Sequence, residues 1–168
     1  MSLFIPKQYQ KDIFNIDYDY LKKNNYKIII FDLDNTIGKV KDKVCDIKTS
    51  NFINELNKKF IVIIASNSRK KRVYSFCKEL ECEKLYFSLK PSLKVLRKIK
   101  HKYNINYENM VIVGDQLLTD ILLGNRKGLM TILVDKKGEY DLKKTKINRV
   151  IEGFIKKKYN LKEGDYYK

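Results

Sequence analysis

The chain has 168 residues, 43% of them hydrophobic, and a formal net charge of +16. That length and apolar content exclude a disordered chain and fit one domain, residues 1–168, with an ordinary core. No stretch approaches the roughly 20 apolar residues of a membrane span, and the start, Met1-Ser2-Leu3-Phe4-Ile5-Pro6-Lys7, lacks the apolar region and cleavage site of a signal peptide.

Residues 1–26 precede the first sheet strand and are expected to cover one face of the sheet, with a short helix over 17–24 capped at Asp17 or Asp19. A second reading stays open, in which Leu3, Phe4, Ile5, Tyr9 and Phe14 touch a membrane surface between lysines. Residues 27–31, K-I-I-I-F, form a β-branched run ended by turn formers, the pattern of a buried strand in a parallel sheet. A loop or small flap over 37–45 carries Lys39, Lys41 and Lys43. A helix over 51–59 follows Thr49 and Ser50, with Phe52, Ile53 and Leu56 at helical spacing. Next come a strand over 60–65, a helix over 69–80 with Val73, Phe76 and Leu80 inward, and a short strand over 84–87. Pro91 suits the first turn of a helix striped by Leu93, Leu96 and Ile99. A strand over 110–113, a helix over 116–125 closed by Gly128, and a strand over 131–134 complete the alternation. The tail, 141–168, reads as a basic amphipathic helix with Ile147, Val150, Ile151, Phe154 and Ile155 on one side, then a polar end over 161–168 expected to lack order. That helix either docks on the domain or meets a membrane or partner. Strand and helix alternate throughout, which predicts an α/β fold in three layers around a central parallel sheet.

Asp32 and Asp34 stand just past the first strand, at the carboxyl end where open α/β sheets place their ligands. Residues two apart on an extended chain point the same way, and two carboxylates that close call for a cation. Solvated aspartates at a strand end would give the same pattern. Three further stretches follow at matching strand ends: Ala65-Ser66-Asn67-Ser68, Lys90-Pro91, and Gly114-Asp115-Gln116-Leu117-Leu118-Thr119-Asp120. Cys45, Cys77 and Cys82 form no C-x-x-C pair and read as core thiols of a reducing compartment. His101, the sole histidine, lies in a basic helical stretch, so a histidine base is not expected. With oxygen ligands on offer and no usable histidine or thiolate, Mg²⁺ is the metal expected. Arginine stands only at 69, 72, 97, 126 and 149. The lysine-borne charge fits either an anionic partner or an A/T-rich codon bias.

Together with Asp32-x-Asp34-x-Thr36, these stretches resemble, in order and spacing, the four motifs of the haloacid dehalogenase-like (HAD) phosphatases. The resemblance implies a Rossmann-like sheet with the first strand central, and it implies roles. Asp32 is the nucleophile that forms an aspartyl-phosphate. Asp34 is general acid for the leaving alkoxide and then general base for water. Thr36 supports that loop and counts among the substrate-binding residues. Ser66 and the Asn67 backbone amide hold the phosphoryl group, and Lys90 neutralises its charge. The implied metal ligands are the side chains of Asp32 and Asp115 and the carbonyl of Asp34, with Asp120 further out.

Only about thirty residues separate Thr36 from Ser66, and about twenty-four separate Ser66 from Lys90. One helix and one strand fill each interval, so no cap domain fits and the site is expected to be open. The stretch 113–134, Pro6-x-x-Tyr9 with Ile13-Phe14-x-Ile16-Asp17, and Asn148-Arg149-x-x-Glu152 narrow the resemblance to small capless phosphatases of the YqeG type, over most of residues 4–155. That subgroup implies phosphatidylglycerophosphate as substrate and an anionic phospholipid at a membrane surface as partner; with neither span nor signal peptide read in the sequence, the expected location is cytoplasmic, peripheral to that membrane (the mitochondrial matrix side in a eukaryote). The alternatives are a cytosolic phosphatase for soluble phosphomonoesters or nucleic-acid ends and a non-catalytic scaffold. The chain shows no aromatic stacking platform for nucleic acid, and no motif residue is lost as a scaffold would allow.

Overall fold

The structure, a computed structural model, describes residues 2–141 and 143–167. Six strands form one sheet: β1 (Gln8–Gln10), β2 (Ile28–Phe31), β3 (Ile61–Ala65), β4 (Glu83–Leu85), β5 (Met110–Gly114) and β6 (Met130–Val134). Their order is β1-β6-β5-β2-β3-β4, every pairing is parallel, and β2 is central as expected. The helices are α1 (Tyr18–Lys23), α2 (Ile47–Asn57), α3 (Lys70–Phe76), α4 (Lys94–Tyr103), α5 (Leu122–Asn125) and α6 (Lys143–Lys158).

All four residues of β2 are buried, and the pleat sends alternate ones to opposite faces. Ile29 and Phe31 join one core with Leu21 of α1, Ile53 and Leu56 of α2, and Phe76 of α3. Ile28 and Ile30 join the other with Val95, Leu96 and Ile99 of α4. A strand covered on both faces needs no polar alternation, which is why its sequence is continuously apolar. Register then positions the site. Phe31 pairs with Ile64 on one side and Val113 on the other, so the chain leaves the sheet at one edge after all three strands. Between β2 and β3 stand only the flap and α2, and between β3 and β4 only α3, so no cap domain is inserted there.

Several boundaries differ from expectation. Residues 1–26 do cover the sheet, with Ile13, Ile16 and Leu21 in its core, but they also supply an edge strand, β1. Its Gln8-Tyr9-Gln10 has no β-branched run to announce it. Tyr9 is buried, and half-buried Phe14 packs on Phe52 with ring centroids 4.8 Å apart. Helix α2 begins a turn early because Asp46 caps it, accepting from the Thr49 N–H at 2.8 Å. Helix α3 stops at Phe76 and β4 at Leu85. Pro91 lies in the turn before α4, not in its first turn. The helix expected over 116–125 forms, its start wound as a π-turn over Leu117–Ile121. Gly128, with φ 73°, closes it while the Leu129 N–H donates to the Gly124 carbonyl at 3.1 Å.

The polar end of the chain is ordered rather than free. The Tyr9 N–H donates to the Asp165 carbonyl at 3.0 Å, the Gly164 N–H to the Tyr9 carbonyl at 2.7 Å, and the Tyr167 N–H to the Lys7 carbonyl at 2.9 Å. This return segment covers the outer edge of β1, and Leu161 packs with Tyr9, Leu117, Ile121 and Leu133; Lys168 lies outside the described residues. Cys45 and Cys77 are buried free thiols, and His101 is exposed. Among the described residues, no helix is long and apolar enough to cross a membrane.

Candidate active site

Four segments converge at the carboxyl edge of the sheet. After β2 the chain turns through Asn35, whose φ of 67° is a left-handed value that asparagine tolerates. The N–H groups of Thr36, Ile37 and Gly38 then fold back on the Leu33 carbonyl at 3.3, 3.1 and 3.2 Å. Gly38 lies against the Phe76 ring, where a Cβ has no room, so the loop is pinned on α3.

Asp32 is buried at the end of β2, with Lys90 Nζ at 2.5 Å from its Oδ1. The same ammonium meets Asp120 Oδ1 at 2.7 Å. Lys90 arrives on a turn in which Phe87 (φ 46°) and Leu89 (φ 53°) are both left-handed, a conformation that costs of order 1–3 kcal/mol for each bulky residue. Asn67 braces that turn: the Lys90 N–H donates to Asn67 Oδ1 at 2.8 Å, and Asn67 Nδ2 donates to the Lys90 carbonyl at 3.0 Å. The expected contribution of Asn67 is a backbone amide; its side chain is in addition a strut for the lysine. Ser66, one residue earlier, is buried, and its Oγ accepts from the Ser68 N–H at 3.0 Å.

Asp34 is held from two sides. Ser68 Oγ donates to its Oδ2 at 2.6 Å, and Arg72 donates to its Oδ1 through Nη2 at 2.8 Å and Nε at 3.2 Å. Arg72 also donates to the carbonyls of Asp42 and Lys39, the latter at 3.0 Å. One guanidinium therefore ties the flap to the carboxylate.

Asp115 follows Gly114, where a Cβ would strike the Asp120 carboxyl group. Thr36 Oγ1 donates to Asp115 Oδ1 at 3.2 Å; Thr36 thus braces a carboxylate from behind and is not among the residues lining the cavity. The second Asp115 oxygen is held by Arg149 of α6, which also donates to the Asp115 backbone carbonyl at 2.7 Å. Arg149 continues to Glu152 at 3.0 Å and Asp141 at 3.4 Å. Glu152 accepts from the Leu118 N–H at 3.1 Å, and Asp141 accepts from Asn35 Nδ2 at 3.1 Å.

Asp32, Asp34, Ser66, Asn67 and Lys90 line one cavity of about 730 Å³, which Thr145 and Asn148 of α6 also line. The motif residues legible in the sequence are together, and Thr36 sits behind them. Arg72, Asp141, Arg149 and Glu152 complete the site without having been expected in it. The Arg149-x-x-Glu152 spacing, one helical turn apart, was the signal available for the last pair.

Three carboxylates share this small buried volume with one ammonium. Lys90 keeps its proton: burial works against its charge, but Asp120 and Asp32 outweigh it. The acids bear the imbalance. Burial pushes Asp32 well above the carboxylate range, opposed by Lys90 and reinforced by Asp120 and Asp115. Burial likewise raises Asp115 to about 6 against the pull of Arg149.

A Bacillus subtilis (strain 168) protein described as a probable phosphatase, YqeG, is 36% identical over 152 residues, covering 90% of this chain and 88% of that protein. The chain belongs to the HAD-like phosphatases. A HAD-hydrolase-like family model matches residues 89–153, from the turn that delivers Lys90 to the pair Arg149 and Glu152. The chloroplastic/mitochondrial phosphatidylglycerophosphate phosphatase 1 of Arabidopsis thaliana is 27% identical over 141 residues, which are 78% of this chain and 40% of that protein. A crystal structure of a protein from Listeria monocytogenes serotype 4b shares the fold, with a TM-score of 0.52 at 16% identity, covering 69% of this chain and 85% of that one.

A HAD-like phosphatase implies a metal ion, and the donor set here fits one. Oxygens of Asp32, Asp115 and Asp120 lie within 4.8 Å of one another, all buried, with no imidazole or thiolate among them. Hard oxygen donors suit a small divalent cation, and the excess of buried negative charge is what such a cation neutralises.

Proposed function

We propose that this HAD-like phosphatase removes the terminal phosphate of phosphatidylglycerophosphate, with Mg²⁺ as its cofactor. The observation that carries the reading is the open cavity of about 730 Å³, with Asp32 and Lys90 among its lining residues and no cap domain inserted above them. A small metabolite in such a site stays wet, whereas a phosphate presented by a lipid surface brings its own cover. The likeness to the Arabidopsis protein of that name supports the lipid substrate. So does the net charge of +16, since lysines near a bilayer are drawn to anionic headgroups.

Asp32 and Asp115, the Asp34 carbonyl and, further out, Asp120 would hold the metal. When bound, the ion supplies Lewis-acid polarisation of the phosphate oxygens. An oxygen of Asp32 attacks phosphorus, and the bond from phosphorus to the glycerol oxygen breaks. Asp34 gives its proton to that departing alkoxide. Water then attacks the aspartyl-phosphate while Asp34 takes the water's proton, freeing inorganic phosphate and restoring Asp32. Lys90 would neutralise the charge that builds on the transferred group, and Ser66 lines the same cavity. Ser68 and Arg72 fix the direction in which Asp34 presents its carboxyl group.

The test is phosphate release from phosphatidylglycerophosphate in mixed micelles, beside glycerol 3-phosphate and p-nitrophenyl phosphate, with and without Mg²⁺. The proposal expects the highest kcat/KM on the lipid and loss of turnover on chelation. Turnover of soluble esters with none of the lipid would overturn the substrate and leave the phosphatase. Silence on every phosphomonoester in Mg²⁺ would overturn both.

A further inference from the structure

Helix α6 is amphipathic in the reverse sense. Its charged residues Arg149 and Glu152 face the domain, Arg149 on Asp115 and Glu152, only 2% exposed, on the Leu118 N–H. Its apolar residues face out: Ile147 is 68% exposed, Val150 63%, Ile151 45% and Phe154 71%. These four recur at i, i+3, i+4 and i+7, a continuous stripe along one side of the helix. The sequence reading put Ile155 on that stripe, but it turns inward to pack beside Tyr9, Leu117 and Leu161. An apolar stripe on solvent beside a polar face buried on the domain is the arrangement of a helix with something still to cover it.

We propose that this face of α6 lies in the interface of an anionic bilayer and seats the catalytic mouth on the membrane. Exposed Lys146 and Lys157 fall along one border of the stripe and exposed Lys158 ends it, the composition of a helix that rests in the headgroup layer. The same lysines repel a second copy of a chain carrying +16 and attract lipid phosphates. Position completes the case. Thr145 and Asn148 of the same helix line the cavity, as does Leu89, which is 58% exposed. A bilayer that takes up the stripe is thereby brought beside the site. The inference builds on the lipid-substrate reading, which supplies the reason for a bilayer at this mouth.

Sedimentation with vesicles lacking any phosphomonoester reads the surface apart from turnover. Vesicles of phosphatidylcholine alone and of an equal mixture with phosphatidylglycerol are compared at low and high salt. Wild type is expected to sediment with the mixed vesicles, less so at high salt. The Ile147→Gln/Val150→Gln/Phe154→Gln variant is expected to partition at least about tenfold more weakly while hydrolysing p-nitrophenyl phosphate as wild type does. Equal sedimentation of variant and wild type overturns the proposal, as does a wild-type dimer, seen by light scattering, that the substitutions dissolve. Binding without turnover of phosphatidylglycerophosphate upholds the surface and sinks the substrate. Turnover of that lipid in micelles by a protein that binds no vesicle overturns the surface and leaves the substrate standing.

Discussion

Arg149 reaches from α6 onto Asp115, Asp141 and Glu152, so three buried carboxylates share one guanidinium. Removing one partner of a buried pair costs about 3–5 kcal/mol, because the charge left behind stays buried. Arg149→Met is therefore expected to lower stability by about 3 kcal/mol in EDTA and by clearly less in Mg²⁺, since a bound cation would offset Asp115. Thermal unfolding in the two buffers makes the comparison, and an equal loss in both would contradict it. The Asn67 side chain acts through Lys90, whose backbone it holds at both N–H and carbonyl. Asn67→Ala is expected to lower kcat by roughly 10–100-fold, the scale of a misplaced catalytic group, with little change in Tm. A fall in Tm that matches the activity loss would mark a structural role instead. Neither role was legible from local sequence. The lysine and the acids announce themselves as strand-end motifs, but a guanidinium delivered from thirty-four positions downstream of Asp115 does not.

Elements were legible where burial dictates pattern. The four buried residues of β2 and the stripe of α4 follow from apolar spacing alone. They were misread where a side chain outside the pattern sets the boundary. Asp46 is the clearest case, since it starts α2 a turn before the apolar periodicity begins. Burial tends to raise its pKa, but the Thr49 N–H, Lys137 and the Thr49 hydroxyl outweigh that and hold it at about 2. Because the folded value lies below the ordinary one, the cap's stabilisation is fully present above about pH 4 and is lost as pH falls through about 2. Asp46→Ala is expected to cost about 1 kcal/mol at pH 7, and wild type and variant should converge toward pH 2 in denaturant titrations. A difference that persists at pH 2 would show that the carboxylate's charge is not what stabilises the cap. The edge strand β1 escaped for the opposite reason: three residues, two of them glutamine, carry too little pattern to read.

At the scale of the molecule, the two ends of the chain meet. The return segment over 161–167 pairs with β1, which pairs with β6, so the last residues close the sheet edge that the first residues open. Ending the chain after Asn160 would bare that edge and remove Leu161 from its cluster. The shortened protein is expected to unfold at lower temperature and to self-associate, as exposed strand edges do; a monomer with unchanged Tm would contradict this. The architecture itself was readable, because alternating strands and helices admit few topologies. What could not be read was which way α6 turns, since its apolar side is the one left on solvent. The central claim concerns Asp32, and a phosphoryl adduct tests it most directly. Asp34→Asn, mixed with p-nitrophenyl phosphate and Mg²⁺ and quenched in acid, keeps a first step whose leaving group needs no general acid and lacks the base of the second, so adduct should accumulate. Mass spectrometry is then expected to find one phosphoryl group on the peptide containing Asp32, and none in Asp32→Asn. Label on another residue, or turnover by Asp32→Asn, would contradict the account.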